Sequence, residues 1–318
     1  MTDSPRLLLN LARPRGEVDP TDLAARAVDL GFDGVGLADS PRLMPDCWLE
    51  SERVLTGTAA ALAGPVVASL GLRYPATVAG ALATLEDHHP GRVFAVVGRG
   101  ESSVLNEGLA VPSLATHRAN LALLRERLRT DDGSDRLPGR LLGAASGPRT
   151  ITATAEVLGG VLVDVGSDVD TVGRAVALAR DANPHTHVWL FVRALVVPDA
   201  AEAAAAAAPL VGSCAARMAA APEWFGLDAS QLALVRHVAA RHDYRKHGTS
   251  EAAAAADDDA ARLVRERFLL VTSADEIRRH VSSYARLGID GLVVAGGLPG
   301  VVPGLPALAA ALVTKESP

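Results

Sequence analysis

Lysine, cysteine and aromatic residues are scarce in this sequence. Lysine occurs only at Lys246 and Lys315, every other basic side chain being arginine. With the abundance of alanine, this reads as the bias of a GC-rich genome rather than as a functional signal. The two cysteines, Cys47 and Cys214, have neither disulfide-framework nor metal-ligand spacing, so a reduced, cytoplasmic setting is expected. Positive charge is not in excess. A net charge of −6 and a pI near 5.9 leave no basic footprint for a nucleic acid. No apolar run of about 18 residues suggests a membrane span, and the N-terminal apolar run is too short for a signal peptide. What remains is a chain of 318 residues, 49% hydrophobic and 21% charged, ample for one large soluble α/β domain.

The most informative stretch is residues 65–103. Residues 66–70 and 93–97 are short β-branched runs bounded by Gly or Pro, as in buried parallel strands. Between them residues 77–85 carry Ala and Leu at helical spacing behind a first-turn proline, Pro75. Strand patterns recur at residues 6–12, 34–38, 141–145, 160–165, 187–196 and 291–295. Helical patterns alternate with them at 19–30, 46–63, 114–129, 148–157, 168–182, 274–287 and 305–313. Eight βα units in one domain spanning residues 1–318 predict a (β/α)8 TIM barrel; an open doubly wound sheet has too few strands. The excess length is an alanine-rich insertion, residues 199–265, between strands seven and eight. Its runs of alanine read as helical filler, and residues 251–259 (EAAAAADDD) read as a mobile lid or an exposed excursion.

In such a barrel the chemistry gathers at the C-terminal strand ends. These carry Asn10, Asp39-Ser40-Pro41, Ser69-Leu70-Gly71, Gly98-Arg99-Gly100-Glu101, Ser146-Gly147-Pro148-Arg149-Thr150, Gly166-Ser167-Asp168 and Arg193. The Ser146–Thr150 loop opens a helix, so backbone N–H groups, the helix dipole and Arg149 favour an anion there, with Gly166 and Ser167 as a second donor set. Plain helix capping by Ser146 and by Ser167-Asp168 explains the same residues equally well. Glu101 and Asp39 are the candidate general acids; helix-dipole and turn-capping roles are the structural alternatives. The His88-His89 pair lies in a turn at the opposite end of the barrel and reads as solvated, and no metal site is expected. His242 and His247 have the wrong spacing for a helical metal pair and read as a surface helix end. Trp224-Phe225 reads as core.

Five segments in register carry a family resemblance: GFDGVGLADSP (31–41), RYPATVAGALATLEDHHPGR (73–92), VVGRGES with LNEGL (96–109), SGPRTITATAEVLGGVLVDVG (146–166) and TSADEIRRHVSSYARLGIDGLVV (272–294). Together they resemble the bacterial-luciferase-like superfamily. More narrowly, they are similar to its deazaflavin (coenzyme F420)-dependent reductases, the methylenetetrahydromethanopterin-reductase-like branch, where HDYRKHG (242–248) also has a counterpart. The resemblance implies an isoalloxazine-type ring across the strand ends, with Asn10, Ser69, Leu70, Gly100, Ser146, Gly147, Pro148, Arg149, Gly166 and Ser167 as cofactor contacts. It implies hydride transfer between a deazaflavin and a small molecule, as in reduction of a polarised C=C or C=N bond of a natural-product intermediate. It implies a non-prolyl cis peptide at the end of strand three, here within residues 68–70, and a homodimer built on helices two and three. Ser40 stands where many relatives have histidine, so the proton donor is sought in Glu101 or Asp39. The link from Leu70 to Arg73 is also shorter than in relatives. An FMN-dependent monooxygenase of the same fold and a non-catalytic flavin-binding relative are the other readings.

Overall fold

The computed structural model describes residues 5–12, 19–59, 61–242, 258–296 and 301–313. In chain order the elements begin with β1 (Arg6–Leu11), α1 (Pro20–Asp29), β2 (Gly34–Leu37), α2 (Cys47–Gly57), β3 (Leu62–Ser69), α3 (Pro75–His88) and β4 (Ala95–Gly98). They continue with α4 (Glu101–Asn106), α5 (Leu114–Arg127), β5 (Leu141–Ala145), α6 (Pro148–Leu158), β6 (Gly160–Val163), α7 (Val169–Ala182) and β7 (His187–Val192). The rest are β8 (Ala194–Val196), α8 (Ala200–Ala220), α9 (Ala229–Ala239), α10 (Asp258–Phe268), β9 (Leu270–Thr272), α11 (Ala274–Leu287), β10 (Gly291–Ala295) and α12 (Val301–Leu312). Eight parallel strands pair in the order β1-β10-β7-β6-β5-β4-β3-β2, and β1 pairs with β2 to close the ring. The fold is the expected (β/α)8 barrel.

The strands are near-continuous apolar runs because both of their faces are buried. Leu8, Leu62, Val66, Phe94, Val96, Leu142, Leu162, Trp189 and Val293 fill the barrel interior, with the Phe94 and Trp189 rings 4.7 Å apart. The alternate residues pack outward against the helices. Side-chain caps hold most helix starts. Asp19, Asp46, Ser113, Asp168, Asp199 and Ser273 each accept from a first-turn amide, and Asp228 with Gln231 forms a capping box. Three starts are different. The N-caps of α3, α4 and α6 are Tyr74, Gly100 and Gly147, none with a side-chain cap.

Several boundaries differ from the sequence expectation, and those around the second helix, the third strand and the seventh strand bear on the site. The second helix was expected to run to residue 63 but ends at Gly57, where Thr58 turns extended. Strand β3 therefore starts at Leu62, four residues early. The cis peptide lies at Val66–Val67, not within 68–70. It accompanies a register shift, since Val66 pairs with Val96 and Ala68 with Val97, leaving Val67 as the extra residue. Gly98 makes room for it, because a Cβ there would stand 2.9 Å from the Val67 side chain. The seventh strand breaks at Arg193 instead of reaching residue 196. Its carbonyl accepts from Leu270, and β8 pairs with β9 in a separate two-stranded sheet.

The insertion contributes α8, α9 and α10, packed on one another. On length and composition alone α8 would pass as a membrane span, against the sequence expectation. It nevertheless carries Glu202 and Arg217 and buries Val211, Cys214 and Met218 against its neighbours. Most of the expected excursion, residues 251–257, and most of HDYRKHG, residues 243–248, lie outside the described residues, while Asp258 and Asp259 open α10.

The barrel's close approaches yield a paired prediction. A Cβ on Gly64 would lie 2.0 Å from the Phe94 carbonyl oxygen, so Gly64→Ala should destabilise the fold by at least ~2 kcal/mol. Gly80, exposed within α3 with nothing near its missing Cβ, should gain ~0.5–1 kcal/mol as alanine. Urea unfolding of the two variants would contradict the described β3–β4 packing if they responded alike.

Candidate active site

A cleft of about 270 Å³ opens at the C-terminal ends of the barrel strands. Its floor is apolar: Val66 and Val67 from the β3 bulge, Ala144 from β5, Leu162 from β6 and Phe191 from β7. Asn10, Asp39, Ser40, Gly100, Glu101, Asn106 and Ser146 stand around it. The Asn10 side-chain oxygen and both amide atoms of Asn106 are buried with no hydrogen-bond partner among the described residues. A buried polar group left so costs about 1–3 kcal/mol, and an arriving ligand recovers that cost by satisfying it.

Two ion clusters brace the cleft. On one side Asp39, with 1% of its side chain exposed, accepts from Arg73 Nε and Nη2, both at 2.9 Å, and from the Ser69 amide at 3.1 Å. Arg73 also reaches Asp46 at 2.9 Å. Hydrogen bonding to Asp39 raises the Arg73 pKa above its ordinary value. Burial opposes the charge of Asp46, but bonds from Arg73 and the Leu49 amide hold its carboxyl below the usual range. Burial, helped by the neighbouring Asp39 charge, pushes the Cys47 thiol up and leaves it unreactive. On the other side Asp164 accepts from Arg193 at 2.7 and 3.0 Å and pairs with Arg217 of α8. Arg193 itself lies between the Phe191 and Phe268 rings, 4.8 and 5.1 Å from their centroids.

The start of α6, like those of α3 and α4, has no side-chain cap. Pro148 has no N–H, the Thr150 and Ile151 amides turn back to the Gly147 carbonyl, and no hydrogen bond engages the Arg149 amide among the described residues. Ser146 and Thr150 line the cleft beside this end. Such a terminus attracts anions.

The structure sorts the sequence-derived residues. It brings Asn10, Asp39, Gly100, Glu101 and Ser146 together in the cleft, whereas Gly147, Pro148 and Arg149 do not line it: Pro148 and Arg149 are exposed and face a separate open groove with Leu114, Arg118 and Glu156. Ser69 and Leu70 stand apart. The bulge falls earlier than expected, so Val66 and Val67 take the floor, while Ser69 is buried beneath Gly100 and the Leu70 amide donates to the Gly98 carbonyl. Gly166 and Ser167 do not form the expected second donor set. The Ser167 and Asp168 amides donate to the Arg267 carbonyl, and Gly166 is pressed against α10, where a Cβ would be 2.4 Å from that same oxygen. Glu101 is exposed and makes no hydrogen bond or ion pair among the described residues, so the burial expected for a general acid is missing. Asn106, Asp164 and Arg217 escaped the sequence reading. Asp164 falls inside the strand pattern of residues 160–165, and Arg217 falls in the alanine-rich stretch, where a lone arginine among apolar residues is the available signal.

Neither a protein-family model nor a curated protein matches the sequence. Solved structures do. The chain is similar to an F420-dependent secondary alcohol dehydrogenase bound to an F420-acetone adduct, with TM-score 0.71 and 18% identity over 98% of this chain and 100% of that one. It is similar to the coenzyme F420-dependent tetrahydromethanopterin reductase of Methanopyrus kandleri, with TM-score 0.71 and 17% identity over 96% and 97% of the two chains. A long-chain alkane monooxygenase follows with TM-score 0.61 and 13% identity over 98% and 92%. The resemblance to the luciferase-like superfamily, with deazaflavin-dependent proteins among its neighbours, thus holds at the level of the fold.

Two measurements test the surroundings of the cleft. Arg73→Met strands the buried Asp39 carboxylate and should lower the unfolding free energy by ~3 kcal/mol in urea titrations; a loss below ~1 kcal/mol would contradict the described clamp. His117, buried on α5 with neither ring nitrogen bonded, has its pKa lowered from 6.5 to about 4 by burial and the Arg99 charge. As pH falls the unfolded chain takes this proton first, so stability should drop between pH ~6.5 and ~4, by up to ~3 kcal/mol. His117→Phe should flatten that part of the pH profile.

Proposed function

We propose that the protein is a cytoplasmic deazaflavin (F420)-dependent oxidoreductase that reduces a polarised C=C or C=N bond of a small molecule, such as a natural-product intermediate. The observation that carries this reading is the cleft itself: an apolar floor, unpartnered amide atoms of Asn10 and Asn106, and an uncapped helix start at its rim. At ~270 Å³ it falls just below the ~300–1,000 Å³ range of ligand pockets, which suits a ring system whose phosphorylated tail lies outside the cleft. The first two structural neighbours support the deazaflavin, since both are F420 proteins with TM-score 0.71, against 0.61 for the alkane monooxygenase.

When bound, the deazaflavin would supply the hydride. Val66, Val67 and Phe191 would back its ring, Asn10 and Asn106 would hold its polar edge, and Ser146 with the Gly147–Arg149 turn would take the phosphate. Asp39, its oxygens occupied by Arg73 and the Ser69 amide, would keep the β2 and β3 ends in place. Glu101 at the rim would pass a proton from solvent to the substrate. A homodimer through α2 and α3 belongs to the same proposal; Leu49 and Tyr74, 73% and 67% exposed, support it.

Fluorescence titration should give a Kd for oxidised F420 at least ~10-fold below that for FMN. Glu101→Gln should keep that affinity while lowering kcat ~10²-fold or more. Tighter binding of FMN, with oxygen uptake by the reduced complex, would overturn the proposal in favour of a monooxygenase. Light scattering at micromolar protein should read a dimer mass.

A further inference from the structure

The strongest unassigned cluster lies away from the cleft, where α3 ends and the turn leads down into the N-terminal end of β4. His88 is the last residue of α3 and His89 its C-cap. Glu52, from the middle of α2, lies between them. Its Oε1 is 3.8 Å from His88 Nδ1 and its Oε2 is 3.1 Å from His89 Nε2. These three side chains place their ligand atoms within 4.8 Å of one another. We propose that Glu52, His88 and His89 form a binding site for a borderline first-row divalent cation, Zn²⁺ being the reference ion.

Donor type, spacing and field all favour this cation. Two imidazoles and one carboxylate are a recurrent three-residue ligand set for zinc, with bonds of about 2.0–2.2 Å. Tetrahedral bonds of that length set neighbouring ligand atoms roughly 3.3–3.5 Å apart. The two close approaches use different Glu52 oxygens, Oε2 to His89 and Oε1 to His88, and with one ligand atom from each residue the three lie within 4.8 Å, so they must draw together by up to about 1.3 Å to grip an ion. His88 is exposed and free to swing inward, whereas His89 keeps only 13% of its side chain exposed and is already oriented. Both imidazoles sit at the C-terminal end of a 14-residue helix, where the backbone dipole favours a cation. The other hydrogen bond to the Glu52 carboxylate is the Thr56 hydroxyl at 3.3 Å, a weak competitor for Oε1.

A cation here would tie α2 to α3, the two helices that flank β3 in sequence. Those elements carry Asp46, Arg73 and the Val66–Val67 floor at the far end. The ion would act as a staple on the α2–β3–α3 segment, with solvent completing its coordination. It takes no part in hydride transfer.

Untagged full-length protein, stripped with a chelator, should bind one Zn²⁺ per chain by calorimetry, with a Kd in the micromolar range or below. Co²⁺ should give visible absorption of a site with nitrogen and oxygen ligands. His89→Ala and Glu52→Gln should each weaken Zn²⁺ at least tenfold and abolish the rise in Tm that Zn²⁺ gives the wild type. Both variants should match the wild-type Tm in chelator, which separates loss of the site from loss of the fold. F420 affinity in chelator should be unchanged, so the outcome is independent of the proposed reaction. No Zn²⁺ binding by the wild type below 1 mM (about 1,000 times a micromolar Kd), or equal binding by wild type and both variants, would overturn the proposal.

Discussion

Asp164 is the point on which the upper half of this barrel depends. It stands just past the end of β6 and accepts a bidentate pair from Arg193, just past the end of β7, while Arg217 reaches it from α8 of the insertion. Removing one member of a buried ion cluster typically costs 3–5 kcal/mol, because a charge is left without a partner. One carboxylate therefore ties two barrel strands to the elements that follow them. The strand break at Arg193 is part of the same arrangement. Its side chain turns to Asp164 and lies against Phe191 and Phe268, while its carbonyl receives Leu270 and starts the small β8–β9 sheet. The insertion is thus seated on the mouth of the barrel by charge, by aromatic stacking and by backbone pairing.

On the other side of the cleft a second cluster does comparable work. Arg73 binds Asp39 and Asp46, and so joins the end of β2, the start of α2 and the start of α3. Between the two clusters the local rules of secondary structure are relaxed. The strand β3 carries a bulge, and α3, α4 and α6 begin without a side-chain cap. The Asn10 side-chain oxygen and the Asn106 amide, unpartnered among the described residues, fall in the same region. Departures from local consistency that gather in one cleft, between rigid braces, are what a binding site looks like.

The fold was legible because period-2 and period-3.6 patterns alternate cleanly and both faces of each strand are apolar. Leu141–Ala145, Ala274–Leu287 and Gly291–Ala295 were found to the residue. What escaped were features that depend on pairing partners far away in sequence. The bulge at Val66–Val67 is set by register against β4 and by the missing Cβ of Gly98. The use of Gly166 and Ser167 is set by the Arg267 carbonyl, a hundred residues later in the chain. The strand ends, where the sequence pattern places the candidate site, do surround the cleft: Asn10, Gly100 and Ser146 line it, while Ser69 and Leu70 are kept out of it by the shift of a bulge. Arg217 was hidden by its alanine-rich context, and only the tertiary contact with Asp164 gives it meaning.

In the proposed function a planar ring would lie over Val66 and Val67, with its polar edge at Asn10 and Asn106 and its phosphate at the α6 start. A crystal structure of the full chain with oxidised F420 reads all three contacts at once. The account predicts the ring within van der Waals distance of the β3 bulge, both asparagine amides hydrogen-bonded, and the tail leaving across Ser146 and Gly147. A coenzyme bound outside this cleft, or in it with Asn10 and Asn106 still unpartnered, would contradict it.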